Sequence, residues 1–273
     1  MSWGIVSWRG PLLAAALWAS AVPAGLPARA ADLTTPPAPV APPSGWEFQA
    51  TLYGWATSLT GDIGARDLPA IPVNVSFGDI LGHLDGAVMA DFLAKNGDWT
   101  LLADVFWSKL SADKTLGFAG PQLDFSQRLL VMQGIAGYRL PVGPDNFDLS
   151  ATAGFRYQRL SVDTTLTPAG IPFGLSSSDV KDWLDPVFGL MLQYQFNDRW
   201  FLNAIGDVGG FGLGSKLTSQ GFVAVGYNWN KSWSTAIGYR ALYTDYESIT
   251  GPRQNFRYNT TLHGPMFNIG YHF

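Results

Sequence analysis

Apolar and polar residues alternate with a period of two through most of this chain, and the alternation restarts at turn-forming residues. From Trp200, the even positions Trp200, Leu202, Ala204 and Val208 are apolar, while Asn203 and Asp207 share the other face. From Trp233, the side carrying Thr235, Ile237, Tyr239, Ala241 and Tyr243 opposes Ser234, Gly238 and Arg240. The terminal "LHGPMFNIGYHF" places Pro265, Phe267, Ile269, Tyr271 and Phe273 against Gly264, Met266, Asn268, Gly270 and His272. Such stretches predict ten strands, at 46–60, 84–95, 99–112, 123–140, 147–163, 183–197, 200–210, 215–229, 233–246 and 256–273. One misread hairpin would leave eight strands, and a pair added by the strand-like "PVNVSF" between Gly61 and His83 would make twelve.

Aromatic residues mark the strand ends. Trp46, Trp99, Phe147, Trp200 and Trp233 open segments running one way, and Phe92, Tyr138, Phe196, Trp229 and Phe273 close those running back. The joints between a closing and an opening segment are short, "KNGD", "PVGPDN", "NDR" and "NKS", and are made of residues that suit tight hairpins. At the other end the connections are longer: Gly61 to His83, Asp113 to Gln122, Thr164 to Asp182 and Asp245 to Asn255, with "GGFGLGS" the one short exception. Short turns at one rim, long loops at the other and aromatic belts at both interfaces are the anatomy of an outer-membrane barrel. A soluble barrel would carry Lys and Glu outward on most strands, whereas the outward positions here are Trp, Leu, Ala, Val, Ile, Phe and Tyr. The predicted class is therefore all-β, a transmembrane antiparallel up-and-down barrel of about ten strands.

Composition agrees with that class. Only 14% of residues are charged, and 31 Gly, 11 Trp, 10 Tyr and 17 Phe favour strands and tight turns. The absence of Cys excludes disulfides and thiolate metal sites. At the N-terminus a single Arg9 precedes an apolar run from Leu12 to Val22 and the small-residue site Ala28-Arg29-Ala30, the order of a secretory signal peptide. Three regions follow: a signal peptide at 1–30, a Pro-rich periplasmic linker at 31–45 and the barrel at 46–273. The barrel region holds no apolar stretch of the roughly 20 residues that a membrane helix needs, so only closed strands could span a bilayer.

By alternation the inward face carries Glu47, Asp91, Asp104, Asp185 and Asp207 together with Arg139, Arg156 and Arg240. Unpaired charge in a narrow lumen is expensive. These groups either pair into a plug that rigidifies the barrel or line a wet pore favouring small, cationic solutes. "GGFGLGSK" has P-loop glycine spacing, but Ser215 and Lys216 come in the wrong order and no helix pattern follows, so a Gly-rich hairpin is the better reading. The three histidines, His83, His263 and His272, form no Ser–His or metal-ligand pattern, and no enzyme activity, metal or cofactor is expected. The loops are poor in Lys and Arg, which disfavours nucleic acid.

The stretches "TLYGWATSLTGDIG", "WLDPVFGLMLQYQFNDRWFLNAIGDVGGFGLGSKLTSQ", "WSTAIGYRALYTDYE" and "LHGPMFNIGYHF" resemble the small gram-negative outer-membrane β-barrels of the OmpW/OmpX-like, porin-like kind, which have no assigned activity. The resemblance implies that the aromatic row Phe267, Ile269, Tyr271 and Phe273 is the signal read by the barrel-assembly machinery. The partners expected are that machinery, outer-membrane lipid and a small solute. The expected role is a non-enzymatic envelope-structural protein or narrow porin-like channel. The alternatives are a surface-loop interaction or adhesion protein and, third, an outer-membrane hydrolase of the omptin type. The sequence leaves the oligomeric state open.

Overall fold

A computed structural model describes residues 45–65, 70–115, 122–167, 174–249 and 255–273. The predicted signal peptide, nearly all of the linker and parts of the predicted loops lie outside these residues.

The strands are β1 (Glu47–Trp55), β2 (Ser58–Ala65), β3 (Ile71–Val75), β4 (Leu84–Asn96), β5 (Trp99–Thr115), β6 (Gln122–Arg139), β7 (Phe147–Thr167), β8 (Leu175–Gln195), β9 (Trp200–Gly210), β10 (Leu217–Asn228), β11 (Trp233–Ser248) and β12 (Phe256–His272), with one short helix, α1 (Phe77–Gly82). From β4 to β12 each strand pairs antiparallel with the next, and β1 pairs with both β4 and β12, closing a ten-stranded barrel. β2 and β3 are the two additional strands.

The first predicted strand, 46–60, is interrupted and then runs further than expected. β1 and β2 meet β12 in one register, with Trp55 opposite Met266 and Ser58 opposite His263. Between them Ala56 faces Pro265, which has no N–H to donate, so the ladder lapses there although Ala56 N still donates to Pro265 O at 2.9 Å. Gly264 is needed at this point, because a Cβ on it would lie 1.9 Å from Ala56 O.

On the other side the wall forks. β1 follows β4 only as far as the Leu52–Ala90 pair, and β2 then takes β3 as its neighbour. Trp55 N, which has lost its strand partner on that side, donates instead to Met89 Sδ at 3.2 Å. The predicted loop from Gly61 to His83 therefore contains β3 and α1, which occupy the fork. α1 starts at a reciprocal cap: Ser76 Oγ accepts from Asp79 N while Asp79 accepts from Ser76 N. Ser58 Oγ accepts from Phe77 N and ties the helix to β2. The Ser76 hydroxyl and backbone amide hold the Asp79 carboxyl below its ordinary value of 3.8. A depressed carboxyl contributes fully above the unfolded value and is lost as pH falls through the folded one. Asp79→Ala is thus expected to speed amide exchange of residues 77–83 at neutral pH, with wild type showing the same loosening only in acid below pH 3.8.

The predicted Thr164 to Asp182 loop is largely strand, and the Asp113 to Gln122 loop is strand at 113–115 and 122. β7 and β8 pair from Phe147–Tyr194 up to Leu166–Leu175, through most of the expected Thr164 to Asp182 loop, and β5 and β6 pair up to Thr115–Gln122. These strands outrun the membrane. Low on the barrel the outward side chains are apolar, among them Leu52, Val88, Leu190, Val225 and Ile237. Higher up, the same alternation turns Arg128, Arg159, Asp163, Asp182 and Arg257 outward. The polarity of the inward face changes in the opposite sense, from Arg156, Asp207 and Gln220 below to Leu160, Leu242, Phe256 and Tyr258 above.

Candidate functional site

The lower lumen is crossed by a layer of paired charges. Arg156 on β7 is wholly buried; its Nη2 donates to both oxygens of Asp207 on β9, at 2.6 and 2.9 Å, and its Nη1 to Thr218 Oγ1 at 2.9 Å. Arg240 on β11 donates to Asp104 Oδ1 at 2.8 Å and to the Tyr53 hydroxyl at 3.1 Å. Tyr53 in turn donates to Asp104 Oδ2 at 2.6 Å. The guanidinium lies 5.0 Å from the Trp55 ring centre, a cation–π contact.

Two glutamines join the pairs. Gln220 accepts from Arg240 Nε at 3.0 Å and donates to Asp207 Oδ2 at 3.3 Å. Gln133 accepts from Arg156 at 3.1 Å and donates to the same Asp207 oxygen at 3.2 Å. Seven strands, β1, β5, β6, β7, β9, β10 and β11, therefore meet in one hydrogen-bonded network across the barrel axis. Such a network strengthens in low dielectric when its members are satisfied, and becomes costly when one is removed.

The eight inward charges named from the sequence occupy different levels. Asp104, Arg156, Asp207 and Arg240 form the layer. Asp91 lies beside it on β4, lining an inner cavity of about 110 Å³ with Thr51, Gln133 and Asn268. Asp185 is fully buried on β8 and accepts from Ser215 N at 2.6 Å and Ser215 Oγ at 2.9 Å. Glu47 lines the short-turn mouth, an open vestibule of about 890 Å³, and Arg139 ends β6 at that rim. Sequence reading missed Tyr53, Gln133 and Gln220, although alternation puts all three on inward faces. It also missed the Lys95–Asp148 ion pair, to which Gln193 adds a third member.

The Gly-rich hairpin has no phosphate-binding geometry. Phe211 (φ 51°), Gly210 (φ 89°) and Gly212 (φ 79°) make its left-handed turn. Ser215 is held by Asp185, and Lys216 pairs with Glu247. The histidines are likewise engaged: His83 Nδ1 with Asp79 O at 2.8 Å, His263 with the Tyr239 hydroxyl at 2.8 Å, and His272 Nε2 with Ser234 Oγ at 2.9 Å. The last contact has the spacing of a nucleophile and its base, but among the described residues no carboxylate hydrogen-bonds the other ring nitrogen. Among the described residues no cluster could hold a metal ion.

Above the charged layer, Trp55, Phe106, Leu129, Trp183, Leu242 and Leu262 form an apolar core. Over that core opens a chamber of about 760 Å³, walled by β2, β3, α1, β5 to β8 and β12.

The exterior defines the class. Aromatic rings belt the short-turn rim: Phe48 stacks between Phe92 and Phe273 at 5.8 and 5.7 Å, Trp99 meets Tyr138 at 5.0 Å, and Trp233 meets Tyr271 at 4.9 Å. Phe155, Phe188 and Tyr239 stand further up, with exposed aliphatic side chains between. A closed barrel with an apolar outer band, aromatic belts and a polar interior is an outer-membrane β-barrel.

The chain matches no family model and no curated protein. Among solved structures it is similar to the outer membrane protease OmpT from Escherichia coli (8% identity, 84% of this chain and 97% of that one, TM-score 0.49). It is also similar to the translocator domain of the autotransporter NalP from Neisseria meningitidis (14%, 85% and 90%, TM-score 0.44). A third is Ail, the attachment invasion locus protein of Yersinia pestis (10%, 84% and 98%, TM-score 0.38). These partial likenesses span proteins of different activities and transfer none of them.

Proposed function

We propose that this protein is a non-enzymatic, envelope-structural outer-membrane barrel whose lumen is closed at rest. The observation that carries the reading is the network joining Arg156–Asp207 to Arg240–Asp104, backed on its outer side by a packed apolar core. Ten strands make a barrel only slightly wider than the eight-stranded kind that side chains can fill, and here two guanidinium groups and their partners cross it. Asp104 and Asp207, two of the inward aspartates that could favour cations in a wet pore, are each paired with an arginine, which argues against a cation-selective channel.

The outward row Phe267, Ile269, Tyr271 and Phe273 faces lipid from the strand that closes the barrel. Its exposure supports recognition of this strand by the barrel-assembly machinery.

Liposome swelling tests the proposed closure. Vesicles carrying the folded protein are expected to swell in an isotonic arabinose solution no faster than protein-free vesicles. Swelling at a rate that scales with protein content would overturn the reading in favour of a small-solute channel.

A further inference from the structure

We infer that the outer chamber is a binding site for a small, neutral, hydrocarbon-like molecule. Its lining includes Leu59, Ile63, Val73, Leu160, Val162 and Tyr258. The chamber is a concavity of about 760 Å³, partly open to solvent and walled mainly by apolar side chains. The volume falls in the range of ligand pockets, which are concave and mostly apolar, and covering such a wall with an apolar guest removes its surface from water.

The strand pattern around the chamber separates this site from the membrane. At the level of Leu160 and Val162 the alternate side chains of β7 are Arg159, Ser161 and Asp163, which turn outward. The neighbouring strands present Arg128 and Asp182 to the same surroundings. An outer face of this kind stands in water, so the acyl chains of the surrounding bilayer do not reach the chamber wall, and the guest is a free solute.

The charges that touch the chamber are engaged locally. Lys181 pairs with Asp179 at 3.5 Å, and Asp79 carries the α1 cap. His83 is turned to the Asp79 carbonyl. The chamber thus offers a guest mainly shape and apolar contact, which selects a neutral molecule over an ion. One wall is the fork in the barrel, where α1 and the outer edge of β3 replace a continuous sheet. The inference goes beyond lumen closure and holds whether or not the layer below conducts.

The chain has no cysteine, so single thiols can report on each face. Val162→Cys places one inside the chamber, and Ser161→Cys places one on the adjoining outer face. Both variants, checked for the heat-modifiable migration of a folded barrel, are labelled with a polar maleimide in lipid nanodiscs while naphthalene is titrated. The expected result is saturable protection of Val162→Cys, about tenfold when naphthalene reaches roughly ten times its dissociation constant, with Ser161→Cys unchanged. Labelling of Val162→Cys that ignores naphthalene would overturn the site. So would parallel slowing of both variants, which reports partition into lipid. A Val162→Cys thiol shielded before any naphthalene is added would show that the chain's own outer segments fill the chamber, and would also overturn it.

Discussion

Arg156→Met is expected to destabilise the folded barrel by about 3–5 kcal/mol in denaturant unfolding from lipid vesicles, the usual cost of stranding one member of a buried ion pair. Methionine keeps most of the side-chain length and removes the five donors. Asp207 would then keep only the single bonds from Gln133 and Gln220, with its charge still out of water. Most of the loss lies in that stranded carboxylate, so Arg156→Met combined with Asp207→Leu is expected to recover the larger part of it. A double variant as unstable as the sum of the two single ones would show that the pair is not coupled.

Arg240→Met has an expected cost of similar size, about 3–5 kcal/mol, for a partly different reason. Asp104 keeps the Tyr53 hydroxyl but loses its cation, Gln220 loses its donor and Trp55 loses the guanidinium over its ring. Gln220 also bonds to Asp207, so the two arginines share one network. Combining Arg156→Met with Arg240→Met should therefore depart from additivity by about 0.5–3 kcal/mol, and strict additivity would mean two independent pairs.

Alternation makes the membrane-level half of this barrel readable from the sequence, because lipid outside and charge inside give neighbouring positions opposite polarity. It puts Asp104, Arg156, Asp207 and Arg240 on one face. Which aspartate meets which arginine depends on the positions of strands far apart in sequence, such as β5 and β11, and no local pattern encodes that. The outer half reads differently. Where the strands stand in water, polar residues such as Thr164, Thr165, Ser178 and Asp182 look like loop residues, and the predicted strands, 147–163 and 183–197, stop short of β7 and β8 at that end.

Of the fork only the strand-like "PVNVSF", which overlaps β3, was legible, and the rest was hidden for another reason. It turns on a residue far along the chain, Pro265, and on the exchange of β4 for β3 beside the first strand. α1 is six residues long, too short for a helical period to show, although Ser76 and Asp79 have capping-box spacing. The chamber follows from both misread features, since extended strand tips and the fork together enclose it.

The most direct test of lumen closure is single-channel recording of the folded protein in planar bilayers. The charged layer and the apolar core above it predict a silent trace at potentials the bilayer tolerates, with insertion verified by protease protection. Discrete, long-lived conductance steps with a cation-shifted reversal potential would contradict the closed lumen.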